Sequence, residues 1–199
     1  MSVLVTGQTV PMRLYVPATL DELATAAVTA TGATWTVPPR GAHAVTPALA
    51  GSLPDEDEEG REYAAFLAAA HDSLLLVAAR GDVVPLRVVV TVEVPDAVVL
   101  LAAGGGFDGG ADDGAAVPSA VRVTREVPGT VVVAVHVDEP EAAADVHDVL
   151  AAADEESDAE AAGDVAAASE SLLDDALQRV TDRDLLWYDP TEIPTIPRP

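Results

Sequence analysis

The strongest pattern in the chain lies between Arg61 and Val94. Tyr63, Phe66, Leu67, Ala70, Leu74 and Val77 recur at spacings of three and four, and Leu75 and Leu76 widen the stripe. This predicts a helix. The acidic run Asp55–Glu59 suits its N-terminal dipole, and Arg80-Gly81 supplies a stop. The period then changes to two. Leu86, Val88, Val90, Val92 and Val94 form one row and Arg87, Val89, Thr91 and Glu93 the other, between Pro85 and Pro95. The alternation predicts a strand with its valine row beneath the helix and its other row toward water.

Shorter elements flank this pair. Arg13-Leu14-Tyr15-Val16 reads as a strand ended by Pro17. Thr19 and Glu22 form a capping box opening a helix that runs through Leu23, Ala27 and Val28 toward Gly32. Trp35 to Val37 reads as a strand, and Ala42 to Pro47 as an extended segment or turn. Val121–Val127 and Val131–Val137 read as a hairpin around Pro128-Gly129. In it Val131, Val133, Val135 and Val137 point to the core. Val132, Ala134 and His136 point the other way, beside Arg122, Thr124 and Glu126. Asp138, with Glu141, is expected to cap the next helix. Thr181 with Asp184 suggests a last capped turn or helix carrying Leu185-Leu186-Trp187-Tyr188.

These elements predict an α+β, two-layer fold: a mainly antiparallel or mixed sheet with helices on one face, with a ferredoxin-like arrangement as one candidate. The expected organisation is an N-terminal extension (1–11) and a core domain (12–153) with a flexible Gly/Asp-rich insertion (104–118). An acidic spacer (154–171) and a C-terminal helical segment (172–199) that docks on the core follow.

Composition adjusts this picture in three places. The absence of cysteine excludes disulfides, thiolate metal sites and cysteine nucleophiles. The formal charge of -24, with 34 acids against 10 basic residues, argues against nucleic acid or an anionic membrane as partner. The acids cluster at Asp55–Glu59, Asp108–Asp113 and Asp154–Asp175, which reads as solubility-promoting expansion. No apolar run approaches the ~20 residues of a membrane span, and no signal peptide is recognised.

Several segments together resemble a known family. They are Met12-Arg13-Leu14-Tyr15-Val16-Pro17-Ala18-Thr19-Leu20, Ala42-His43-Ala44-Val45-Thr46-Pro47-Ala48-Leu49, Glu62-Tyr63-Ala64-Ala65, and Leu185-Leu186-Trp187-Tyr188 with Glu192-Ile193-Pro194. They look like an uncharacterised actinobacterial family, a domain of unknown function, over about Met12 to Ile196. The resemblance implies a bacterial, cytoplasmic protein and brings no activity or catalytic residues with it.

Candidate chemistry is sparse. His136, Asp138, His147 and Asp148 come nearest to a metal set, but His147 lies roughly 13 Å along a helix from Asp138, so the four should not converge. His43 could act as a general base, with Arg13 or Arg40 in a nearby cleft. No nucleophile motif accompanies it, and a structural turn histidine is favoured. His71 reads as a boundary residue. Trp187 and Tyr188 read as anchors of the terminal segment. No catalytic, cofactor or metal residue is therefore assigned. Function is expected to be non-enzymatic, through a protein partner or homodimer on an open sheet face formed by Arg87, Thr91, Glu93, Arg122, Thr124, Glu126 and His136. The alternative is an enzyme or small-ligand binder using a cleft near His43.

Overall fold

The computed structural model describes residues 11–101, 117–162 and 167–199; for 154, 156–162 and 167–171 it describes the backbone alone. The expected N-terminal extension and Gly/Asp-rich insertion fall almost wholly outside these residues. The architecture is α+β. Nine antiparallel strands form an open sheet: β1 (Pro11–Ala18), β2 (Ala27–Thr29), β3 (Gly32–Val37), β4 (Arg40–His43), β5 (Val88–Pro95), β6 (Val99–Leu101), β7 (Ala120–Val123), β8 (Val127–Val137) and β9 (Leu186–Tyr188). The order is β2-β3-β8-β5-β1-β4-β7-β6, with β9 paired to β8. The ferredoxin-like relation rests on the sequence expectation alone.

Three long helices accompany the sheet: α3 (Glu58–Ala78), α4 (Ala142–Ala162) and α5 (Ala167–Thr181). Two short ones, α1 (Leu20–Leu23) and α2 (Pro47–Ser52), follow β1 and β4. The Thr19–Glu22 capping box forms with both bonds present, at 3.3 and 3.1 Å. The helix it opens is a single turn rather than the expected run to Gly32. Val28, Thr29 and Thr31 are β-branched and lose side-chain freedom in a helix, so the chain turns back as the β2–β3 hairpin instead.

The largest correction concerns which face of β5 meets the helix. The row Leu86, Val88, Val90, Val92 and Val94 does not lie under α3. It fills a core with residues from β1, β3, β4, β7 and β8, joined by Ile193 and Ile196, so the sheet curves around its own valines. Helix α3 covers the opposite row: Ala65, Ala69 and Ala70 pack on Tyr15 and Val89. Both faces of β5 are therefore dry from Val88 to Val92, and Arg87 and Thr91 are only 5% and 4% exposed, while Glu93 beyond them stays exposed. The expected open sheet face does not exist at these positions.

Small residues decide this arrangement. On α3 the sheet-facing stripe is Ala65, Ala69 and Ser73, which lets the helix backbone come close to the strands. Ser73 donates to the Ala18 carbonyl at 2.9 Å and accepts from the Val88 N–H at 2.8 Å, tying the helix to the ends of β1 and β5. The large residues predicted to be core are displaced outward. Tyr63, Leu67 and Leu75 are exposed and Phe66 is only partly buried. Further along α3, Leu74 and Val77 do enter a core, with Val146 and Val149 of α4 and Ala176 and Val180 of α5.

The predicted hairpin is also absent: β7 pairs β4 and β6, while β8 pairs β3, β5 and β9. Pro128-Gly129 lies within β8, where Trp35 faces Thr130 but Val37 faces Val127, leaving one residue extra on β8. Gly129, at φ 64°, takes up that bulge. A second irregularity follows, since Thr91 faces Ala134 while Val92 faces Val132. It reverses the alternation, so Val132, Val135 and Val137 are buried while Val131 and Val133 are exposed. Arg122, Thr124 and Glu126 thus belong to a different part of the sheet from His136. The segment Leu186–Tyr188, expected as helical, is strand β9.

Candidate functional site

The displaced aromatics of α3 open onto a cleft of about 690 Å³. Four elements build it. The first turns of α3 bring Glu59, Glu62, Tyr63 and Phe66, with Asp57 capping the helix through the Gly60 N–H at 2.9 Å. Strand β1 brings Tyr15 and β8 brings His136. Residues 184–187, leading into β9, bring Asp184, Leu185 and Trp187. His136 and Trp187 are direct cross-strand partners, which sets their side chains on one face.

The aromatic rings form a continuous set. Phe66 meets Tyr15 edge-on with ring centroids 6.3 Å apart, stacks on Tyr63 at 6.1 Å, and meets His136 edge-on at 4.7 Å. Tyr63 is 54% exposed and Trp187 59%. Aromatic side chains left this open on an ordered helix and strand forgo most of their burial energy. A smaller space of about 140 Å³ continues the cleft along α3, past Leu67, Ala70, His71 and Leu74, against Val180, Arg183 and Leu185. The two share Tyr63, Phe66, Asp184 and Leu185, so together they form one groove.

The charge of the cleft is one-sided. Its lining holds four carboxylates, Asp57, Glu59, Glu62 and Asp184, and no lysine or arginine. Glu62 is engaged by Arg13 at 3.3 Å. Burial and then the Glu62 carboxylate push the Tyr15 phenol up to about 12. Burial lowers the pKa of His136, and its Nδ1 is buried without a hydrogen-bond partner among the described residues. Burial thus disfavours the charged form of the ring.

His43 is buried at the end of β4, and the partners of its ring are side chains rather than the backbone of a turn: Nδ1 with Ser119 Oγ and Nε2 with Asp72 Oδ2, both at 2.9 Å. These are the residue types of a nucleophilic triad. The hydroxyl, however, is inside: Ser119 is 1% exposed, and the outward member is Asp72. None of the three borders the groove, and the Ser119 side chain is buried. Arg13 and Arg40 are paired, with Glu62 and Glu93 and with Glu22 respectively. The arrangement ties β4, α3 and the 118–119 segment together. Thr46, the N-cap of α2, adds a bond to the Pro118 carbonyl.

The His136–Asp138–His147–Asp148 set is dispersed. His136 lines the groove and His147 is exposed on α4. The Asp138 carboxylate binds Arg87 through Nε at 3.0 Å and Nη2 at 2.8 Å, rather than capping α4. Tyr188 packs against the core, whereas its neighbour Trp187 is exposed and lines the cleft. Sequence reasoning missed Glu59, Glu62 and Asp184 as site residues and gave Tyr63 and Phe66 to the core. The available signal was the second stripe Ala65-Ala69-Ser73, a better match to a closely packed helix face. No helix among the described residues is long and apolar enough to cross a membrane.

No curated protein and no solved structure matches the chain. A family model does match, over residues 12–196, which include every groove residue and the His43 cluster. The chain belongs to that family, a family of unknown function, DUF6912.

Proposed function

We propose that this protein is a non-enzymatic binding protein that works by gripping another protein in the groove between α3 and residues 180–187. A bacterial, cytoplasmic setting is the one its resemblance implies. The groove takes the place of the sheet face on which a contact role was first expected, since Arg87 and Thr91 are buried. The observation that carries the reading is the outward set of Tyr63, Leu67 and Trp187 on regular secondary structure, beside a core that is complete without them.

Photo-crosslinking tests it. A benzophenone side chain at Leu67 should join a defined peptide of a host protein, and Tyr63→Ser with Trp187→Ser should abolish the product. The same probe at Leu172, which is exposed on α5 away from the groove, should not join it. A crosslink indifferent to the two aromatic substitutions, or found only to a second copy of this chain, would overturn the reading.

The enzymatic alternative draws on the Ser119–His43–Asp72 chain. It requires Ser119 to become accessible. Labelling of the intact protein by a fluorophosphonate, lost in Ser119→Ala, would transfer the function to that cluster.

A further inference from the structure

The groove is not uniform along its length. From Glu59 to Leu74 it follows α3 for about 22 Å, room for about six or seven residues of extended chain. One end is aromatic and acidic. The other carries an apolar row, Leu67, Ala70, Leu74 and Val180, bordered by Arg87 and Arg183, whose charges are already paired with Asp138 and with Glu139 and Asp145. Glu59 and Asp184 make no hydrogen bond or ion pair with any described residue, so two carboxylates at the aromatic end are unspent.

From this we infer that the Tyr63–Trp187 end of the groove receives an arginine side chain from the partner protein, with apolar partner residues running on along α3. The inference rests on the groove being the contact site and specifies what fills it. A guanidinium is planar, stacks on aromatic faces and offers a fork of N–H donors to carboxylates. The exposed rings of Tyr63 and Trp187 and the free carboxylates of Glu59 and Asp184 provide both halves of that recognition. Burial of His136 disfavours an opposing positive charge there. The strongly acidic chain as a whole draws cationic segments toward it.

Two capped peptides test the inference on the full chain by calorimetry: acetyl-Arg-Leu-Ala-Leu amide, and the same peptide with citrulline, its neutral isostere, in place of arginine. The arginine peptide should bind about tenfold more tightly. The ratio should fall toward one in Glu59→Gln/Asp184→Asn and shrink as salt is raised. Tyr63→Ser should weaken both peptides, with an unchanged circular-dichroism spectrum confirming the fold. Equal affinity of the two peptides, both sensitive to Tyr63→Ser, would overturn the arginine assignment and leave the groove reading intact. So would binding of neither peptide while the Leu67 crosslink to a host protein persists. Loss of that crosslink's dependence on Tyr63 and Trp187 would remove the groove reading itself.

Discussion

Removing the Asp138 carboxylate should be among the most damaging single changes in this protein. Its side chain is fully buried, and that of Arg87 is 7% exposed. The carboxylate accepts from Arg87 Nε at 3.0 Å, from Nη2 at 2.8 Å and from the Arg87 backbone N–H at 2.8 Å. In Asp138→Ala a buried guanidinium loses its counter-charge and a buried N–H loses its acceptor. Breaking one partner of such a pair costs about 3–5 kcal/mol. Against a domain stability of about 5–15 kcal/mol this is a large share, and it lowers Tm by roughly 10 °C or more. The loss should also loosen the α5 end, because Arg87 Nη2 donates to the Arg183 carbonyl at 3.0 Å. Urea unfolding of Asp138→Ala and of Arg87→Met/Asp138→Asn separates the causes. The double variant removes the charge while keeping an acceptor for the backbone N–H, and should lose only about 1–2 kcal/mol. A single variant that costs less than about 1 kcal/mol, or a double variant as unstable as the single, would refute the idea that most of the loss comes from leaving a buried charge unpaired.

Three further outcomes are expected. Gly129→Ala should cost about 1–2 kcal/mol by urea unfolding, because φ is 64° and no neighbouring atom crowds the added methyl, leaving backbone conformation as the cause. Phenolate absorbance should show one late-titrating tyrosine at about 12, missing in Tyr15→Phe. The raised value means Tyr15 contributes stability below its ordinary value of 10.0 that is lost as pH climbs through about 12. For His136 the sign is opposite. Its pKa is lowered by burial, so its contribution is intact above 6.5 and erodes as pH falls below that, and His136→Phe should flatten this acid limb of the stability curve.

Much of the fold was legible in local pattern. The 3.6-residue period gave α3, the period of two gave β5, and the Thr19–Glu22 spacing gave a capping box that forms as read. What escaped depended on partners far along the chain. Period alone could not say which row of β5 the helix would cover, because the second row becomes buriable only through a distant partner: Asp138 neutralises Arg87, and Glu93 stays exposed. Bulges in β8 are set by the lengths of β3 and β5 opposite it, so alternation counted through Val133 lost its phase. His43 finds Asp72 and Ser119 on other elements, with no spacing to announce them. The groove was hidden for a related reason. Its aromatic residues have the composition of a core, and only the small-residue stripe beside them reveals that they are surplus to it.

The strand order also governs how the chain can fold while it is being made. On emerging, β1 must wait for β5 at Val88–Pro95, and β3 must wait for β8 at Val127–Val137. Ile193 and Ile196 seal the same interior. A nascent polypeptide therefore carries unzipped, valine-rich edges until almost the whole of residues 12–196 has left the ribosome. Topologies of this kind fold slowly and are exposed to self-association meanwhile. The surplus of carboxylates supplies mutual repulsion between such half-made chains when they most need to stay apart.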